Sequence, residues 1–324
     1  MAGQRSTSWA VAVTVLGVLA VAVLGWRLLV TSDPSGAAAR PTAPASRTSD
    51  ASPVPEDADG PKDAGRSGAG SEAASEAPVP ALYLGDSLAM ENQEVLAGLL
   101  EDTASLRNAP YSGTTLCDYL ERGEDRSLVP PQHKAAALVR EVKPTVVILQ
   151  FWGNSWGYTP CMGSIAQGSA AYYERHAADA RALTTEIERA AKDVGIERPT
   201  LVWVLQGPDP MSPDRIRRIN ALYRKQAAAR GDITADAGAA VSGPGGRYAH
   251  VQWLPCTRYE REHPPYCTDG GRAQLHRDDD YLHFCLAPTT KTPKPCAKRS
   301  PGVLRFSRAI ADTVTRQVRG TPDM

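Results

Sequence analysis

ALYLGDSLAMENQEVLAGLL, residues 81–100, joins a short apolar run to a segment of helical periodicity. Residues 81–84 have the length and character of a buried strand, whereas Val95, Leu96, Leu99 and Leu100 fall on one side of a helix beginning near Ala89. A strand that passes directly into a helix is the unit from which parallel sheets are wound. Between the two stand a glycine, an acid and a serine, Gly85 to Ser87. Two readings fit them: a plain strand-to-helix corner, or a serine held at a strand end as a nucleophile.

The same alternation continues along the chain. A short strand is expected at 104–106, then a helix opened by Pro131 and ending near Val142. PTVVILQFW, residues 144–152, is continuous and β-branched and reads as a strand buried on both faces. Residues 169–194 place Tyr173, His176, Ala180, Leu183, Ile187, Ala190 and Val194 on one helical face. LVWVL, 201–205, is another buried strand; a helix at 214–230, a short strand at 233–235 and a helix from Ser300 complete the pattern. The expected fold is α/β, a three-layer α/β/α sandwich around a mostly parallel sheet. Such sheets bind ligands beyond the carboxyl ends of their strands, which puts Ser87 and Asn154 on one rim.

The first quarter of the chain has a different character. Residues 9–26, WAVAVTVLGVLAVAVLGW, carry no charge, and residues 1–30 read as a transmembrane anchor or a signal segment. Retained, it leaves everything after Val30 outside the cell membrane as a single-pass protein; cleaved, it leaves a secreted one. Residues 31–80 are almost wholly Ala, Pro, Ser, Gly, Thr and charge, with eight acids and four bases, and read as a disordered linker. Residues 81–324 hold the globular domain. Lysine plus arginine equals aspartate plus glutamate, 36 each, so no strong field recruits nucleic acid. Nothing in the sequence speaks to oligomeric state.

A serine nucleophile needs a base with an orienting acid, and donors for the oxyanion. DDDYLHF, residues 278–284, supplies Asp280 and His283, three residues apart and shortly before the last helix. On a tight loop that spacing lets the carboxylate hold one imidazole nitrogen while the other faces Ser87. Taken with GDSL at Gly85 to Leu88, the chain from about Ala81 to Val318 resembles the SGNH hydrolases, the GDSL esterase and lipase family, whose fold is flavodoxin-like. The resemblance implies Ser87 as nucleophile, His283 as base and Asp280 as its partner. It implies an oxyanion hole from the Ser87 amide, the Gly113 amide in YSGTT and the Asn154 side chain in QFWGNSW. One departure stands out: where the family has Gly-x-Asn, this chain has Trp152, Gly153 and Asn154. Trp152 is expected to narrow the acyl pocket, with Trp156 lining the substrate groove.

The implied activity is an ester hydrolase acting through an acyl-enzyme on an O-acyl ester, with cell-surface glycan as the expected substrate class. An O-acyltransferase using the same triad and a non-catalytic binding module on the same fold remain open. Neither a metal nor a cofactor is expected: there is no HExxH, no phosphate-cradling GxxxxGK[ST] and no zinc-ligand spacing among the cysteines. GDSLA also comes within one residue of the GxSxG elbow of α/β-hydrolases, but that fold places several strands before its nucleophile. Six cysteines, Cys117, Cys161, Cys256, Cys267, Cys285 and Cys296, suit disulfides in an oxidising compartment. They allow fifteen pairings; pairing of sequence neighbours is the working expectation.

Overall fold

The computed structural model describes residues 77–122, 126–155, 159–288 and 295–320. The expected membrane segment, the expected linker up to residue 76 and Trp156 lie outside them. Among the described residues no helix is long and apolar enough to cross a membrane.

Strand β1 (Val79–Gly85) leads into helix α1 (Ser87–Leu100), and β2 (Ala104–Asn108) returns beside β1. Helix α2 (Ala135–Val142) precedes β3 (Val146–Gln150), and α3 (Ala170–Asp193) precedes β4 (Thr200–Val204). Helix α4 (Pro213–Arg230) and β5 (Ile233–Ala235) complete a sheet of order β2-β1-β3-β4-β5, parallel throughout. After a two-stranded antiparallel ribbon of β6 (Trp253–Pro255) and β7 (Arg272–Gln274), which encloses helix α5 (Arg258–Glu262), the chain reaches α6 (Pro301–Arg319).

Both faces of the sheet are buried, so successive strand residues feed opposite cores. Leu82, Leu84, Val147, Leu149, Leu201 and Trp203 pack with Leu138, Leu183, Ile187 and Tyr223 of α2, α3 and α4. Ala81, Tyr83, Val146, Ile148, Val202 and Val204 pack instead with Leu88, Leu96, Phe306 and Ile310 of α1 and α6. The fold is thus the α/β/α sandwich, in the flavodoxin-like order. From β1 the chain winds first to β2 and then back past β1 to β3, so the connections diverge at the carboxyl ends of β1 and β3 and leave a crevice there.

Two local expectations need correction, and one element is new. Helix α1 starts at Ser87 rather than Ala89, because Asp86 caps it by accepting the Leu88 N–H at 3.1 Å. Pro131–His133 forms a separate 3₁₀ turn, and Lys134 is extended (ψ 150°) before α2 begins. The buried Lys134 ammonium there donates to the Asp118 carbonyl at 2.7 Å and to Ser127 Oγ at 2.6 Å. The ribbon was not anticipated, since strands of three residues carry no readable period.

The strand end at Gly85 is packed without room for a side chain. A Cβ there would lie 2.4 Å from Ala89 Cβ and 2.4 Å from the Gln150 carbonyl oxygen. Gly85→Ala is therefore expected to destabilise the domain by about 1–3 kcal/mol, read from urea unfolding; an unchanged midpoint would contradict this packing.

Candidate active site

Ser87 is the first residue of α1, so its N–H has no carbonyl one turn behind it and stands at the positive end of the helix. The preceding residue fixes that position. Asp86 is buried; its Oδ1 caps α1, its Oδ2 accepts the Trp152 N–H at 2.6 Å, and its own N–H donates to the Gln150 carbonyl at 3.2 Å. Burial pushes the Asp86 carboxyl up to about 6, with the N–H groups of Trp152 and Leu88 working against it.

The Gly85 carbonyl gathers the next segment. It accepts the Tyr111 N–H at 2.9 Å and the Tyr119 hydroxyl at 2.8 Å, while Thr114 Oγ1 donates to the Tyr111 carbonyl at 2.6 Å. Gly113 lies in the turn from Tyr111 to Thr114 with φ +76°, the left-handed conformation that the third position of a type II turn requires. Asn154 donates from Nδ2 to the Thr114 carbonyl at 3.0 Å and is almost completely buried. One Nδ2 hydrogen is thereby spent on orientation, and the amide group has a second.

Behind Asn154 the backbone is held from below. Gly153 has φ +92°, and its carbonyl accepts the Tyr172 hydroxyl at 2.7 Å and Arg215 Nη1 at 3.0 Å. The buried Arg215 also donates to the Trp152 carbonyl at 3.3 Å and pairs with the buried Asp209 at 2.6 Å. Its guanidinium carbon lies 3.5 Å from the centroid of the Trp152 ring. This corrects the expectation for Trp152: its side chain is 2 % exposed, lies in the core beside α1 and α6, and does not line the cleft. Stacking on a buried guanidinium draws the indole inward.

The histidine arrives from the loop after the ribbon. His283 Nε2 lies 3.0 Å from Ser87 Oγ, and His283 Nδ1 lies 2.9 Å from Asp280 Oδ2. Asp280 Oδ1 accepts the N–H groups of Leu282 and His283, both at 3.1 Å, closing the tight loop expected from the spacing. Burial opposes ionisation of Asp280, but the bond to His283, its charge and these N–H groups outweigh it and hold the carboxyl well below its usual range. An ionised carboxylate only accepts, so Nδ1 carries the proton and Nε2 of the neutral imidazole accepts from the Ser87 hydroxyl. Burial lowers the His283 pKa, yet Asp280 by hydrogen bond, and Glu91, Asp280 and Asp86 by charge, raise it above its ordinary value. The cleft over Ser87, about 430 Å³, is lined by Ser112, Gly113, Leu128, Asn154, Leu282 and His283.

The structure thus brings Ser87, Gly113, Asn154, Asp280 and His283 to one cleft and leaves Trp152 out of it. The cysteines are joined as 117–161, 256–267 and 285–296, and none of the six is free. The first bridge ties the segment after Gly113 to the segment after Asn154, and the third begins two residues after His283. Sequence reasoning missed Glu91, whose Oε2 accepts the N–H groups of Phe284 at 2.9 Å and Cys285 at 3.2 Å. The one available signal was its place a single turn beyond Ser87. It also missed Arg215, which no sequence spacing links to Trp152.

No family model and no curated protein sequence matches the chain. Several solved structures are similar to it. A carbohydrate esterase family 3 structure from Talaromyces cellulolyticus is 13% identical, covers 75% of this chain and all of its own, with a TM-score of 0.46. A GDSL-like lipase from Bacteroides thetaiotaomicron is 10% identical over 74% of this chain and 88% of its own, with a TM-score of 0.42. An acetylxylan esterase from Geobacillus stearothermophilus, in a catalytic mutant, is 12% identical over 73% and 94%, with a TM-score of 0.43.

Removing the cation beneath the Asn154 loop strands a buried carboxylate. Arg215→Met is expected to cost about 3–5 kcal/mol in urea unfolding, and Arg215→Lys to recover only part of it, because an ammonium cannot reproduce the planar fork over Trp152. Full stability in Arg215→Met would contradict the role given to this pair.

Proposed function

We propose that the protein is a serine ester hydrolase of the SGNH type, with Ser87 as nucleophile, His283 as general base and acid, and Asp280 as the residue that orients and charges the imidazole. The observation that carries this reading is the chain of two hydrogen bonds, 3.0 and 2.9 Å, from Ser87 Oγ through His283 to Asp280.

In this mechanism His283 Nε2 takes the Ser87 proton as Oγ attacks the ester carbonyl carbon. The carbonyl oxygen becomes an oxyanion, stabilised by the Ser87 N–H, the Gly113 N–H and the second Nδ2 hydrogen of Asn154. His283 then protonates the leaving alcohol oxygen, leaving an acyl group on Ser87. Water, deprotonated by the same nitrogen, attacks that acyl carbon; collapse returns the proton to Ser87 and frees the acid. Side chains and backbone supply every proton transfer and every oxyanion contact, so the sequence of steps calls for no cofactor.

The substrate in this reading is an O-acyl ester on cell-surface glycan. The three disulfides support an oxidising, extracytoplasmic compartment. The uncharged run at residues 9–26 supports attachment to the cell membrane. Leu128 and Leu282 give the cleft its apolar wall for an acyl group. An acyltransferase would use the same residues with a sugar hydroxyl in place of water; no contact among the described residues favours it, and hydrolysis is the reading adopted.

The test is hydrolysis of acetyl and longer-chain aryl esters, with and without an oligosaccharide acceptor. Wild type is expected to release acid, Ser87→Ala to lose at least about 10⁴-fold in kcat, and Asn154→Ala about 10²–10³-fold with KM little changed. Product carrying the acyl group on sugar would replace the hydrolase by a transferase; equal rates for wild type and Ser87→Ala would end the proposal. Only neutral His283 accepts the serine proton, so kcat/KM falls as pH drops through its raised pKa. The acid limb is therefore expected above the ordinary imidazole value of about 6.5.

A further inference from the structure

The loop that carries His283 has no regular secondary structure, since residues 283–286 belong to neither helix nor strand. Its backbone groups must find partners elsewhere. Several of them find one residue. Glu91 Oε2 accepts from Phe284 N–H at 2.9 Å and Cys285 N–H at 3.2 Å, and the Glu91 carbonyl accepts the Cys296 N–H at 3.4 Å. Cys285 and Cys296 are bonded to each other. Glu91 therefore holds both ends of that bridge, and it stands on α1 four residues after Ser87, on the same helix face.

We propose that Glu91 is the positioning residue of the catalytic histidine: it fixes the His283 loop to the helix that carries the nucleophile and places its carboxylate in the surroundings of the imidazole. This rests on the hydrolase reading of Ser87 and His283, and it adds a second carboxylate to Asp280. The two acids act on different parts of the loop. Asp280 holds the imidazole Nδ1 and the N–H groups up to His283, whereas Glu91 holds the two N–H groups that follow it. The backbone on both sides of His283 is thus pinned, once within its own loop and once to α1. The separation of Ser87 Oγ from Nε2 then depends on the rise of a single helical turn.

The electrostatic side follows from what surrounds His283. Asp280 faces it from its own loop, Glu91 from α1, and Asp86 from the start of α1. His276, from the segment after β7, donates Nδ1–H to the His283 carbonyl at 3.0 Å, and burial lowers its pKa to about 4, so it stays neutral. His250 stacks on His276 with ring centroids 4.8 Å apart and donates from Nε2 to the Tyr281 carbonyl at 3.1 Å. Arg277 comes within 3.9 Å of Asp280. Glu91 itself is raised to about 7, first by burial, with the His283 charge and the Phe284 and Cys285 N–H groups opposing. The Glu91 carboxylate and the His283 imidazolium each stabilise the charge of the other.

Glu91→Gln keeps an oxygen that accepts both N–H groups and removes the charge. NMR titration of the His283 ring in the full-length protein is expected to show a midpoint lower by about half a unit or more than in wild type, less than the one to three units of a direct ion pair. The acid limb of kcat/KM should move down with it. Glu91→Ala, which leaves two N–H groups without acceptors, is expected to lose about tenfold or more in kcat with KM little changed, as a displaced base would. An unmoved His283 midpoint in Glu91→Gln overturns the proposal. Because the midpoint is read without turnover, it still decides on Glu91 if wild type hydrolyses no ester, an outcome that would sink the hydrolase reading instead.

Discussion

Asp86 accepts the Leu88 N–H at the start of α1 with one oxygen and the Trp152 N–H beyond β3 with the other. Those two bonds join the carboxyl ends of β1 and β3 at the point where their connections diverge. A carboxylate is suited to the task because it offers two acceptors in one plane. A buried side chain with one acceptor would leave a helix end or a strand end unsatisfied. Gly85, immediately before it, lets β1 come close enough to Gln150 for the bond between Asp86 N–H and the Gln150 carbonyl. The acid of GDSL is thus structural, and the position of the serine beside it is a consequence of the acid's bonds.

The remaining groups are added around that corner by independent devices. The Gly85 carbonyl and Tyr119 hold the Gly113 turn. Thr114 orients Asn154, and Arg215 and Tyr172 hold the backbone beneath it. Asp280 and Glu91 pin the two sides of His283. Every such device uses a buried or half-buried polar group with named partners. Two disulfides, 117–161 and 285–296, lie in the same loops, the third lies beside the antiparallel ribbon, and none lies in the five-stranded sheet.

Much of this was legible in the chain. Strands as apolar as 81–84, 144–152 and 201–205 announce a sheet covered on both faces; the strands that Ser87 and Asn154 follow put those two on one rim, and the spacing of Asp280 and His283 pointed to the tight loop that faces Ser87. What was not legible depends on contacts between distant segments. Trp152 follows the strand as a large aromatic residue and reads as a pocket wall, but a guanidinium sixty-three residues later draws it into the core. The break at Lys134 depends on carbonyl and hydroxyl acceptors from another loop. Glu91 was missed because its partners are backbone N–H groups, which leave no trace in a sequence.

The central claim is that Ser87 is activated by His283. Incubating the folded protein with a fluorophosphonate probe and mapping the modified peptide tests it most directly. The account predicts a single adduct on Ser87, formed faster as pH rises through the titration of His283 and lost in His283→Ala. An unmodified Ser87, under conditions in which a control serine hydrolase is fully labelled, would contradict it.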